Sequence, residues 1–319
     1  MFRLFGSGGI FPDTAEIISA DSMQVYRGMD IGTAKPSAEE QKQLPHHLID
    51  IRTPDEQFNA GDFVRLAGEA IAGITRRGKI PVVAGGTGFY LKNLILGLPE
   101  APPADTAIRA ALKLELQEKG AAALMEELAN LDPVSANKIH INDEYRLLRA
   151  LEVQRLTGQP LSSFRVTGDQ RKPEFRFFVY GIFRHREELY RRINTRCAAM
   201  FRQSNLSQSE ISQGDISPTL PDEVRRLFNA GYTPRDPGLR AIGYREFFIE
   251  DEPGIFRISQ DLTGVQALVA QNSRHYAKRQ ITFFNSLPDA KWIKAGNDAE
   301  TANLLRDAIC ENLTVRTAL

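Results

Sequence analysis

The chain has 319 residues, 42% of them hydrophobic and 25% charged, with 40 basic against 40 acidic side chains, the composition of an ordinary soluble globular protein with room for one large domain or two. Apolar runs such as Ile80 to Ala84 are strand-sized and longer stretches are broken by charge, which excludes a bilayer-crossing helix, and MFRLFGSGGIFPDTAE lacks the continuous apolar core of a secretory signal. Cys197 and Cys310 fit no Cys-x-x-Cys or zinc spacing, so a reducing cytoplasm is the expected setting.

In chain order, Glu16 to Ala20 (EIISA) reads as a short buried strand and Ile80 to Ala84 (IPVVA) as a second. Each runs into polar or Gly-rich residues at its C-terminal end, as strands of a parallel sheet do. Between them Phe63, Val64, Ala67, Ala70, Ile71 and Ile74 recur at helical spacing, and Gly78 closes that helix. Strand, helix, strand implies a right-handed crossover. Residues 105–157 read as helices only: Ala107 to Lys119 and Ala121 to Asn130, separated by Gly120, then Asp143 to Thr157, stopped by Gly158 and Pro160. Helices that interrupt an α/β alternation point to an inserted subdomain. The predicted organisation is therefore a first part of an α/β core over 1–104, a helical insertion over 105–170, and a second part of the core over 171–319. Phe175 to Ile182 is a predicted third strand and Lys291 to Lys294 a last short one, each followed by a helical pattern. Ser204 to Pro221, rich in Ser, Gln and Pro, is predicted to be a mobile surface insertion.

Ligands of open α/β sheets bind at the carboxyl ends of strands, so Asp21, directly after EIISA, is a candidate catalytic carboxylate, with a turn cap as its alternative role. Gly85, Gly86, Thr87 and Gly88 follow the second strand, and their N–H groups with the Thr hydroxyl are a candidate anion nest. His46 and His47 are adjacent in an extended segment, point to opposite faces and cannot share one ion. No His or Cys spacing makes a zinc site, and no G-x-S-x-G elbow supports a serine nucleophile. Basic residues gather from Arg171 to Arg202 and from Arg274 to Arg279, either as solvated helix faces or as a surface for a polyanion. Tyr244 and Phe283 sit among basic residues and can stack on bases or belong to the core.

ISADSMQVYRGMDIGTAKP (Ile18 to Pro36), PHHLID (Pro45 to Asp50), GGTGFYLKNLILGL (Gly85 to Leu98), RLLRALEV (Arg146 to Val153), LRAIGYREF (Leu239 to Phe247) and AKRQITFF (Ala277 to Phe284) occur in one order. Through these segments the chain resembles the bacterial tRNA dimethylallyltransferases. The resemblance implies a P-loop-type α/β fold, a parallel sheet flanked by helices with a helical insertion subdomain. It also implies transfer of a dimethylallyl group from dimethylallyl diphosphate to N6 of adenosine 37, in tRNAs that read codons beginning with U. Asp21 then corresponds to the general base on N6, Thr87 to the Thr that helps hold the reacting groups, and Arg196 to a diphosphate-binding arginine. Asp21, Ser22, Met23, Gln24 and Thr87, with Arg109, Arg146, Arg149, Arg240, Gly243, Tyr244, Arg245, Lys278, Arg279 and Gln280, fall at positions that in the family contact the tRNA. The resemblance further implies that the anticodon stem-loop delivers a flipped base into a channel, and that Mg²⁺ bridges the diphosphate with help from a P-loop Ser or Thr.

No G-x-x-x-x-G-K-[ST] occurs in the sequence, and Gly6, Ser7, Gly8 and Gly9 lack both the lysine and a preceding strand. The family places a strand, the P-loop and most of a helix ahead of EIISAD. The expectation is a core whose first strand and P-loop are missing, whose true N-terminus lies upstream, and in which Met1 to Phe5 is the tail of the lost helix. Such a chain would not transfer prenyl groups by itself. An inactive homologue that only binds tRNA is the alternative. A small-molecule kinase of related fold would need the same P-loop and explains neither LRAIGYREF nor AKRQITFF.

Overall fold

The computed structural model describes residues 1–98, 101–164, 175–202, 218–287 and 289–314. The chain divides into two compact units, one formed by Met1–Leu94 and Arg176–Leu319, the other by Ile95–Phe175.

The first unit opens with α1 (Phe2–Phe5), whose Leu4 and Phe5 are buried against Ala15, Ile17 and Leu44. β1 (Ala15–Ser19) follows, with every residue buried. After α2 (Ala38–Gln43) comes β2 (His46–His47), and after α3 (Ala60–Arg76) comes β3 (Ile80–Ala84). The three strands form one parallel sheet in the order β2-β1-β3, with Ile17 opposite both His46 and Val82. α3 forms where the spacing predicts it: Phe63, Ala67, Ile71 and Ile74 share its buried face, and Asn59 with Asp62 makes a capping box at its start. α4 (Gly88–Leu96) then leads into the second unit.

The second unit is helical, with α5 (Thr106–Leu131), α6 (Pro133–Ala136) and α7 (Glu144–Thr157). α5 is two helices broken at Gly120, whose φ of 80° and ψ of 164° lie outside the reach of a side-chain-bearing residue in a helix. Leu112, Leu124, Leu128, Leu147, Leu148 and Leu151 make its core.

The chain returns to the first unit through β4 (Tyr180–Phe183), α8 (Arg186–Phe201), α9 (Leu220–Asn229), the hairpin of β5 (Phe248–Glu252) and β6 (Ile255–Ile258), α10 (Leu262–Phe284), β7 (Lys291–Lys294) and α11 (Asp298–Thr314). β4 starts later than the predicted Phe175, because its only ladder is with the four-residue β7, from Tyr180–Lys291 to Phe183–Lys294. The predicted surface insertion at Ser204 to Pro221 lies mostly outside the described residues. Its end is ordered: Thr219 and Asp222 form the capping box of α9, and Leu220 is fully buried, so this stretch is a helix start and not a surface segment. Leu220 and Val224 join Val25, Met29, Tyr244, Phe247, Val265 and Val269 in the largest core. No helix among the described residues is long and apolar enough to cross a membrane.

Candidate active site

Because β1 and β3 run parallel as neighbours, the turns that leave their carboxyl ends lie side by side. The Ala20 N–H donates to the Ala84 carbonyl at 2.8 Å, and the Thr87 N–H donates to the Ala20 carbonyl at 3.0 Å. Two residues further on, the Ser22 N–H donates to the Thr87 hydroxyl at 2.9 Å, which stitches the Asp21 turn to the Gly85–Gly88 turn. Asp21 itself accepts the Met23 N–H at 2.8 Å. It therefore fills the cap role and the strand-end position at once.

Burial pushes the Asp21 carboxyl above its ordinary value, against the opposing pull of the Met23 and Gln24 N–H groups and of the Arg196 charge. Arg196, exposed on α8, thus faces the same region as Asp21. Tyr276, on α10, is raised by burial and by the Asp21 charge, and its hydroxyl also meets Gln280 and Thr87. Around the Gly85–Gly88 turn the clearance is that of glycine alone: a Cβ on Gly85 would collide with the Ala20 carbonyl, one on Gly86 with Gln280, and one on Gly88 with Phe283. The turn is not the open anion nest its composition predicts, because the Thr87 and Gly88 N–H groups are already bonded to the carbonyls of Ala20 and Gly86.

Residues 24–287 match the family model described as IPP transferase. The chain belongs to the IPP transferase family. A tRNA dimethylallyltransferase of Geobacter sulfurreducens is 44% identical over 279 residues, 88% of this chain and 83% of its own length. A tRNA dimethylallyltransferase of Thermotoga petrophila is 40% identical over 303 residues, 94% of this chain and 92% of its own. The crystal structure of the full-length tRNA isopentenylpyrophosphate transferase of Bacillus halodurans matches with a TM-score of 0.59 at 33% identity, over 95% of this chain and 91% of that one. A eukaryotic dimethylallyltransferase acting on tRNA matches with a TM-score of 0.69 at 25% identity, over 95% and 73%. The fold is the P-loop-type α/β fold of these transferases.

Within this IPP transferase chain, the residues predicted to touch nucleic acid divide by what their side chains do. Lys278 and Arg279 are exposed on α10 and, with His275, Thr282 and Phe283, line an open recess. Arg245 is half-exposed beside Glu246, and Arg146 is exposed and paired with Asp143 at 3.1 Å. Gly243 has a φ of 98° and donates its N–H to Glu246. The others spend their side chains on partners within the chain, Arg240 while exposed at the surface. Tyr244 is fully buried and donates its hydroxyl to Glu223 at 2.6 Å, so its ring is core and unavailable for stacking on a base. Arg109 and Arg149 each donate to the same oxygen of the fully buried Glu152 at 3.0 Å, and Arg149 also reaches the Pro102 carbonyl. Arg240 donates to the carbonyls of Pro234 and Arg235. Gln24 accepts from the Ser19 hydroxyl at 2.8 Å and donates to the Thr33 and Ala34 carbonyls, holding the loop after Asp21. Gln280 donates to the Gly86 carbonyl at 2.7 Å.

His46 and His47 diverge as their spacing requires, the first to the Leu44 carbonyl and the second to Glu16. Two residues escaped the sequence. Glu223 accepts the N–H groups of Asp30, Ile31 and Gly32 and the Tyr244 hydroxyl, and nothing local marks it, since its backbone partners lie about 190 positions away. Tyr276 was legible in principle, because it precedes Gln280 by one helical turn on the same face. Among the described residues no group of three or more His, Cys, Asp or Glu side chains converges as metal ligands.

Proposed function

We propose that this chain is a prenyltransferase that moves the dimethylallyl group of dimethylallyl diphosphate to N6 of adenosine 37 in the anticodon stem-loop of tRNAs reading codons that begin with U. The observation that carries this reading is the tie between the Asp21 and Thr87 turns, made by the Ser22 N–H on the Thr87 hydroxyl at the carboxyl ends of adjacent parallel strands in a chain of the IPP transferase family. The names and substrates of the relatives, which include a tRNA-acting dimethylallyltransferase of the same fold, support the choice of acceptor.

The exocyclic amine of adenine is a weak nucleophile. As its nitrogen bonds to C1 of the dimethylallyl group, the C1–O bond breaks and diphosphate leaves with the bonding electron pair. The proton shed by N6 passes to the Asp21 carboxylate, whose raised pKa makes it a better acceptor than an ordinary aspartate. Thr87, its hydroxyl tied to the Ser22 N–H, holds the Asp21 turn in register with the Gly85–Gly88 turn. Arg196 supplies positive charge toward the departing diphosphate. Lys278, Arg279 and Arg245 offer exposed charge to phosphates of the RNA backbone.

Mg²⁺ would neutralise diphosphate charge when bound. The side chains here do not build a cage for it, since no three ligating groups converge among the described residues. An ion carried by phosphate oxygens and water is the mode that suits such a donor set.

Single-turnover transfer from labelled dimethylallyl diphosphate to tRNA tests the reading. Asp21→Asn should lower the rate about 10²- to 10⁴-fold, the usual worth of a positioned acid or base. A near-normal rate would remove Asp21 from the mechanism.

A further inference from the structure

We infer that Gln280 and Tyr276 of α10 are positioning residues for the transfer, holding the peptide that carries Thr87 instead of contacting nucleic acid. The inference rests on the transferase reading above.

The Gly86 carbonyl accepts Gln280 Nε2 at 2.7 Å and the Tyr276 hydroxyl at 3.4 Å. That carbonyl belongs to the same planar peptide unit as the Thr87 N–H, which donates to the Ala20 carbonyl at 3.0 Å. One rigid plane is therefore gripped at both ends, by α10 through its oxygen and by the end of β1 through its nitrogen. With the plane fixed, the Thr87 side chain is aimed at the Ser22 N–H, and so at the turn that presents Asp21. Without Gln280 that oxygen keeps only the Gly88 N–H at 3.1 Å and the Tyr276 hydroxyl at 3.4 Å, so the plane is held less firmly and both groups drift from register.

The grip extends along one stripe of the helix. Tyr276, Gln280 and Phe283 recur at i, i+4 and i+7, and the backbone of Gly86 and Gly88 approaches Gln280 and Phe283 too closely for any Cβ. Lys278 lies on the far side of the helix from this stripe, and Arg279 lies at its edge with its guanidinium over the Tyr276 ring, 5.7 Å from the centroid; both are exposed and available to a polyanion. α10 thus carries both tasks: exposed cations for binding, and a stripe whose Tyr276 and Gln280 hold the Gly86 carbonyl.

The test separates rate from affinity. Gln280→Met keeps length and removes the donor. At saturating tRNA its single-turnover rate should fall about 10- to 100-fold, the scale of a small misplacement of reacting groups, while the tRNA dissociation constant stays within about threefold. Tyr276→Phe should lose about two- to fivefold in rate with unchanged affinity. Gln280→Lys, which restores an N–H donor of similar reach, should recover most of the lost rate. A wild-type rate for Gln280→Met, or a tenfold loss of affinity with no loss of rate, overturns the inference. Should Gln280→Met not fold, Tyr276→Phe decides alone, and a wild-type rate for it overturns the inference. A wild-type chain that transfers nothing is the outcome expected of a core without its P-loop and does not bear on the grip. In that case amide hydrogen exchange still reads the grip in the free protein: the Thr87 amide should exchange about tenfold faster in Gln280→Met, and unchanged exchange overturns the inference.

Discussion

The Tyr244 hydroxyl donates to Glu223 Oε1 at 2.6 Å, and the same carboxylate accepts the backbone N–H groups of Asp30, Ile31 and Gly32. All of its donors here are neutral, and the group is buried. Tyr244→Phe removes one donor to a buried charge and should cost about 1.5 to 3 kcal/mol. Glu223→Ala strands the tyrosine hydroxyl and three backbone donors together and should cost more, about 3 to 5 kcal/mol. Urea midpoints of the two variants check this, and an equal loss in both would contradict the assigned roles.

As the proposed general base, Asp21 should make the activity depend on pH. A general base must be ionised, so transfer rises as pH climbs through the Asp21 pKa, which burial places above the ordinary aspartate value. Arg196 pulls that pKa down. Arg196→Ala should therefore move the acid limb of the pH profile of kcat/KM to higher pH, besides weakening diphosphate binding; a limb that moves to lower pH contradicts the assignment.

The same shift has a stability consequence. A carboxyl whose folded pKa exceeds its unfolded one favours folding at low pH and loses that contribution as pH rises through the folded pKa. At neutral pH, Asp21→Asn should accordingly leave stability unchanged or raise it by about 1 kcal/mol while abolishing most transfer. Thermal unfolding at pH 7 measures it, and a marked loss would show that the cap role outweighs the charge cost.

Glu16 behaves in the opposite sense. Hydrogen bonds from Arg77 hold its carboxyl at about 2, against the desolvation that opposes them and with further help from His47. A depressed carboxyl contributes fully above its unfolded value near 4.5 and loses that contribution as pH falls toward 2. Glu16→Gln should cost about 1 to 3 kcal/mol at pH 7, a range that allows for the half-exposed Arg77, and should flatten the acid side of the stability curve. Unfolding followed between pH 2 and pH 7 checks both.

Arginines of the helical unit and cations of α10 should separate cleanly. Arg109→Ala with Arg149→Ala leaves the fully buried Glu152 without either cation and should cost about 3 to 5 kcal/mol. Arg149→Ala alone should leave the salt dependence of tRNA binding unchanged. Lys278→Ala and Arg245→Ala should each weaken binding and reduce the salt slope by about 1. Filter binding across a salt series distinguishes the two groups.

Periodicity carried most of the fold. The α3 face, the Gly120 break, the helix ended by Gly158 and the strand at Ile80 to Ala84 all come from local rules, so residues near in sequence reveal them. The neighbourhood of Asp21 and Thr87 was legible because each follows a strand of one parallel pair, which sets their turns side by side. It was illegible where a polar side chain answers a distant partner. Gln24, Arg109, Arg149, Tyr244 and Gln280 carry the residue types of a nucleic-acid surface, yet each is spent on internal hydrogen bonds that only tertiary packing creates. Membership of a shared motif does not separate side chains left exposed from those bonded within the chain, because that difference is made by distant partners.

The Gly85–Gly88 turn also limits how this sequence can drift. Its three glycines answer to three different neighbours: a main-chain carbonyl in one strand, an amide side chain and an aromatic ring on a distant helix. A larger residue at Gly85 meets main chain, which no side-chain change can clear, whereas one at Gly86 or Gly88 needs a matching change at position 280 or 283. In related chains position 85 should therefore stay glycine, while position 86 varies together with 280 and position 88 with 283.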